Sequence, residues 1–147
     1  MLSVLSALAA VVTLMQAPPA NHACSALTSA QIASLIGTAR TLPVTATASG
    51  STCMFQNNDK MITVLMATPS SADGAQGLFD AKKRIASGAD VPGWGVPAYS
   101  GALSTAAVVG VLVRQTFTEV RVIDKLQKPA EMSAKLQAVM KEFAAKK

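Results

Sequence analysis

The sequence predicts an α+β fold: an antiparallel sheet of four to five strands packed against helices and stapled by one disulfide. Three observations predict it. Apolar residues recur at helical period over 27–36, 70–86 and 129–146; apolar and polar residues alternate over 53–67 and 106–123; and two cysteines, Cys24 and Cys53, suit a single bridge. The order reads α-β-β-α-β-β-(β)-α within one domain, 24–147, behind an export signal at 1–23.

The first element is that signal. Residues 1–17, MLSVLSALAAVVTLMQA, hold no charged side chain. The apolar run from Leu2 to Met15 has the length of a secretory h-region and falls short of the ~20 residues that span a bilayer. Pro18 and Pro19 then break any helix, and the small Ala20 and Ala23 follow, the order in which export signals end. No Lys or Arg precedes the run. Cleavage is expected between residues 17 and 23, with the mature start between Asn21 and Cys24.

Cys24 has four conceivable uses. A lipidated cysteine follows an aliphatic residue at minus three; here the triplet is Asn21-His22-Ala23, so lipid anchoring is the weaker alternative. Zinc takes three or four ligands, and the chain offers two Cys and one His. A Cys nucleophile needs a base, and His22 stands beside the cleavage boundary. A bond to Cys53 is the reading that remains, in keeping with an oxidising compartment.

After Cys24, ALTSAQIASLIG reads as a short helix capped by Thr28 or Ser29 and ended by Gly37 in the left-handed conformation. TARTLPVTATASGST reads as a loop with at most a weak edge strand. Residues 53–56 and 60–67 form a hairpin about Asn57-Asn58-Asp59. A second helix follows Pro69, with Leu78, Phe79, Ile85 and Ala86 on its inner face. GADVPGWGVPAYSG carries too many Gly and Pro for a regular element, although Tyr99–Leu103 can add a short strand. Two strands follow, near 106–114 and 116–123. In the second, Phe117, Glu119, Arg121 and Ile123 alternate with Thr118, Val120 and Val122, which predicts one wet face and a sheet covered on one side only. The closing helix buries Met132, Leu136, Val139, Met140 and Phe143, with Glu131–Lys135 and Glu142–Lys146 placed to pair.

The chemistry these residues exclude is more definite than the chemistry they offer. With His22 the single histidine, Ser-His-Asp and Cys-His catalysis find no base in the body of the domain. No metal or cofactor motif is present, and Gly93 with Gly95 do not open a phosphate loop. The distinctive stretch is VPGWGVPAY: Pro92, Gly93, Trp94, Gly95 and Tyr99 are a candidate ligand or partner loop, against the alternative of a rigid connection whose Trp folds over the core. The formal charge is +5, and residues 125–147 hold six Lys and two Glu. Lys135, Lys141, Lys146 and Lys147 are therefore candidate contacts for an anionic surface, though a solvated helix face explains most such sets. Nucleic acid is disfavoured, because the four Phe sit at core-like positions instead of interleaving with basic residues.

The succession of Cys24, Leu27-Thr28, Gly37, Cys53 with Phe55, and Pro92-Gly93, Gly95, Ala98-Tyr99 resembles small exported bacterial domains of the DUF3558-like (lipo)protein kind. The sequence departs from that pattern at Gly95-Val96, where Gly-Asp is usual, and in its poor lipidation motif. The resemblance implies an exported α+β domain with bonded cysteines and no established enzymatic activity. The expectation is a non-enzymatic binding or accessory module of the cell envelope, periplasmic or secreted, whose partner is an envelope protein or a small ligand. The alternatives are a small enzyme with a site near 91–100 and an envelope-surface protein held weakly to membrane by its basic C-terminal helix.

Overall fold

The computed structural model describes residues 20–146; the expected signal segment before Ala20, and Lys147, lie outside the described residues. Seven strands, not four or five, form one fully antiparallel sheet in the order β1-β2-β3-β7-β6-β5-β4. They are β1 (Arg40–Ala46), β2 (Gly50–Asn57), β3 (Lys60–Ala67), β4 (Ala89–Asp90), β5 (Ala98–Leu103), β6 (Ala106–Val113) and β7 (Thr116–Asp124). Two meanders, β1–β3 and β4–β7, meet where β3 pairs with β7. The helices are α1 (Ser29–Ile36), α2 (Ala72–Ile85) and α3 (Pro129–Ala145), and a 3-10 turn, His22–Ser25, precedes them.

The stretch 38–52, expected as a loop with at most a weak edge strand, contains β1 at the edge of the sheet. Its residues lack alternation because nearly all of them are exposed, and Pro43 sits in the strand, a residue sheets tolerate at an edge. Pairing with β2 makes it a strand, with an irregularity between Pro43 and Thr45. The Gly- and Pro-rich stretch also holds the two-residue β4, which was not expected, while the short strand expected at Tyr99–Leu103 is present as β5, beginning one residue earlier at Ala98.

Local signals place α1. Thr28 accepts from the Gln31 amide while the Gln31 side chain accepts from the Thr28 amide, a capping box that satisfies two orphan donors. Gly37 ends the helix at φ +79°, ψ −167°, an extended mirror-image conformation essentially confined to glycine instead of the expected left-handed helical one. Asn57, assigned to the hairpin turn by sequence, donates from Nδ2 to Ile36 O at 2.6 Å and closes the helix end.

Over β5–β7 the sheet is covered on both sides, which corrects the one-sided expectation for that half. One face carries α1 and α3 over Cys53, Phe55, Ile62, Val64, Val109, Val120 and Val122. The other carries α2 over β5–β7, burying Phe79, Tyr99, Val108, Leu112 and Phe117. Strand β6 is consequently buried along nearly its whole length and reads AAVVGVLV, apolar on both faces. On α2 the inward residues are Ala75, Phe79 and Ala86, with Leu78 half-buried; Ile85, expected inside, is 60% exposed. Phe79 meets Tyr99 and Phe117 edge-on at 5.2 and 6.2 Å between ring centroids, arrangements worth about 0.5–1.5 kcal/mol each beyond the area they bury.

Cys24 and Cys53 are bonded, joining the 3-10 turn to β2. The turn is held by more than the sulfurs. Asn21 Nδ2 donates to Thr45 O (3.1 Å) and Thr52 O (2.9 Å), and the amide of the fully buried Ala23 donates to Ser51 Oγ at 2.9 Å.

Candidate functional site

The 3-10 turn forms one wall of a cleft of about 490 Å³ at the end of the sheet. The β1–β2 turn and the adjoining ends of β2, β3 and β7 supply the rest. Six hydroxyls line it, from Ser25, Thr47, Ser49, Ser51, Thr68 and Thr116, together with His22 and Met66. Its size lies within the roughly 300–1,000 Å³ of small-molecule sites.

Hydrogen bonding decides what these hydroxyls can offer. Ser25 Oγ donates to His22 O, and Thr47 Oγ1 donates to Gly50 O, so their protons are committed. Ser51 Oγ accepts from the Ala23 amide, which leaves its own O–H able to donate. Thr68 and Thr116 share one hydrogen bond at 3.0 Å, which uses one of their two protons. Ser49 has no hydrogen bond from its side chain among the described residues. The cleft thus presents O–H donors from Ser49, Ser51 and one of the two threonines, on a wall fixed by a disulfide. No hydrogen bond joins the His22 ring to a hydroxyl among the described residues.

Residues of the 91–99 stretch lie elsewhere. Val91 N donates to Ala98 O, closing a hairpin whose tip is 92–97. Pro92, Gly93 and Gly95 are exposed at that tip, with Gly93 and Gly95 at positive φ. Trp94 is half-buried against the core beneath α3. Tyr99 is fully buried on the opposite, α2 face, where no ligand at the tip can touch it.

Glu119, expected on a wet face, is 1% exposed. Its carboxylate accepts from Tyr99 Oη and from Arg121 Nε (2.7 Å), and Arg121 Nη2 lies 2.6 Å from the same Oε1. Burial, and then the bond to Glu119, push the Tyr99 phenol far above its ordinary value, so it stays a hydrogen-bond donor. Asp124 sits at the end of β7; the Leu126 amide, 2.9 Å away, and then Lys60 Nζ at 3.2 Å, hold its carboxyl below the ordinary value.

Of the candidate lysines, Lys135 and Lys141 are exposed on α3, Lys146 is exposed at its C-cap, and Lys147 lies outside the described residues. Neither expected α3 ion pair forms among the described residues; Glu142 accepts from Gln31 Nε2 (3.2 Å), and Lys135 donates to Gln127 Oε1 (3.4 Å). No described group of three or more His, Cys, Asp or Glu could hold a metal, and no described helix is long and apolar enough to cross a membrane. The hydroxyl cleft was not anticipated, because its residues come from segments far apart in sequence; the density of Ser and Thr over 45–52 was the available signal.

Compared with protein-family models, curated proteins and solved structures, the chain matches none.

Proposed function

We propose that this protein is an exported, non-enzymatic binding module of the bacterial cell envelope, and that the hydroxyl-lined cleft beside the Cys24–Cys53 bond is its ligand seat. The cleft carries the reading: several O–H donors converge on one concavity whose wall is covalently anchored. The disulfide suits an oxidising compartment, and the uncharged apolar stretch before Pro18 suits an export signal. A cut before Asn21 would preserve the Asn21 bonds to Thr45 and Thr52, in keeping with a mature chain that begins there. The same disulfide speaks against a diacylglyceryl group on Cys24, since that sulfur cannot hold both bonds. The DUF3558-like resemblance belongs to this reading, as it joins a leader, paired cysteines and an α+β domain.

The test is the intact mass of the protein purified from the extracytoplasmic fraction of its own cells, with and without reductant, beside a native-state spectrum. The expected result is a chain starting near Asn21 that gains the mass of two hydrogens on reduction and carries a small non-covalent ligand, lost in Ser49→Trp. A full-length chain confined to the cytosol, or a lipid on Cys24, would refute the export reading in this form.

A further inference from the structure

The cleft shares walls with two smaller depressions on the α3 face. Met66 and Thr116 also border a chamber of about 160 Å³ completed by Val113, Arg114, Thr118 and Phe143. Phe143 in turn borders a hollow of about 210 Å³, with Ser25, Ala26, Gln31 and Lys146 among its walls. Ser25 and Ala26 close the circle by lining the cleft as well.

Charge around this composite seat is one-sided. None of the residues lining the three depressions is Asp or Glu, whereas each has a basic side chain: His22, Arg114 and Lys146. Arg114 and Lys146 are exposed and make no ion pair among the described residues. Glu142 touches the lining through Gln31, whose Nε2 it accepts from. Arg114 stands in the β6–β7 turn at φ 56°, a conformation uncommon for any residue but Gly, Asn or Asp, and lines the chamber. The free hydroxyls of the cleft are likewise donors.

The chamber has an apolar side, and Phe143 is shared with the hollow that Lys146 lines. Met66, Val113 and Phe143 border the chamber, whose volume is close to the ~150 Å³ of a cavity that takes up benzene. We infer that the seat takes a small organic anion, a carboxylate or phosphate monoester, bearing one apolar group of about benzene size, with its charge held at the Arg114 and Lys146 rim. This rests on the cleft being the ligand seat. The apolar group enters the chamber, the anion meets the rim cations, and its remaining oxygens accept from the cleft hydroxyls.

The test is a titration of the purified protein, followed by ¹H–¹⁵N spectra, with phenylacetate, phenyl phosphate, benzyl alcohol and benzylammonium. The expected result is that at least one anion shifts the amides of Ser25, Thr116 and Thr118 and binds about fivefold tighter than benzyl alcohol, benzylammonium being weakest. The ranking of the two anions separates carboxylate from phosphate. In Arg114→Gln/Lys146→Gln, whose spectrum reports folding, the preference for anions should vanish. If benzyl alcohol binds the same amides as tightly as the anions, or the double variant keeps the preference, the anion inference fails and the cleft reading stands. If none of the four shifts those amides, both fail.

Discussion

Tyr99 hydrogen-bonds Glu119 across an entire intervening strand. The two residues face the same side of the sheet, on β5 and β7, and both stand level with Gly110 of β6. The ring lies where a Gly110 side chain would be: a Cβ added there would overlap Tyr99 Cε1 and Cζ. Gly110 therefore serves close approach, not backbone freedom. Gly110→Ala should destabilise the domain by about 2–4 kcal/mol, combining overpacking with loss of a buried hydrogen bond. Urea unfolding measures this, and a loss below the cost of an ordinary surface change would show that the ring is free to move aside.

The same contact predicts an unusual alkaline titration. The folded-state pKa of Tyr99 is raised, so its stabilising contribution is complete below the ordinary value of 10.0 and is lost as pH climbs above it. The unfolded chain ionises there while the folded chain keeps its proton. Tyr99 is the single tyrosine, so tyrosinate absorbance has one source. It should stay silent above pH 10.0 until the chain unfolds; a smooth titration of the native protein at the ordinary value would contradict the buried contact.

Removing the disulfide should be costly but local in its structural effect. The bond closes a separation of 29 residues, so Cys24→Ser under oxidising conditions should cost about 3–4 kcal/mol by the chain-entropy estimate. That corresponds to a fall of roughly 10–15 °C in Tm. Because Asn21 and Ala23 hold the 3-10 turn independently, amide spectra should show that turn still docked. An unchanged Tm would mean the bridge contributes nothing.

Acid should weaken the β7 terminus first. The Asp124 carboxyl is held low by the Leu126 amide and Lys60, so its contribution is present above the ordinary 3.8 and disappears as pH falls below it. Asp124→Asn should flatten the dependence of the urea midpoint on pH over that acid range. A variant with the same acid slope as the parent would place the linkage elsewhere.

The sequence exposes what depends on neighbours in the chain. Thr28 with Gln31, Gly37 after Ile36, and the apolar stripe of α3 are local, and those helices could be read directly. Strand β1 showed only as a weak edge strand within a loop, because a mostly exposed edge strand containing Pro43 has no alternation to display. Glu119 and Arg121 looked solvated because alternation reveals which residues share a face, not that Tyr99 and α2 will cover it. The cleft was invisible for the same reason: Ser25, Ser49, Thr68 and Thr116 converge only when β7 pairs with β3 and the disulfide fixes the turn.

The most direct test of the ligand seat is a small-fragment library screened by ¹H–¹⁵N spectra, with every hit mapped to its amides. The account predicts shifts centred on Ser25, Gly50, Thr68 and Thr116, abolished by Ser49→Trp, which fills the cleft. Hits centred instead on Gly93, Trp94 and Gly95, or spread without preference, would contradict it.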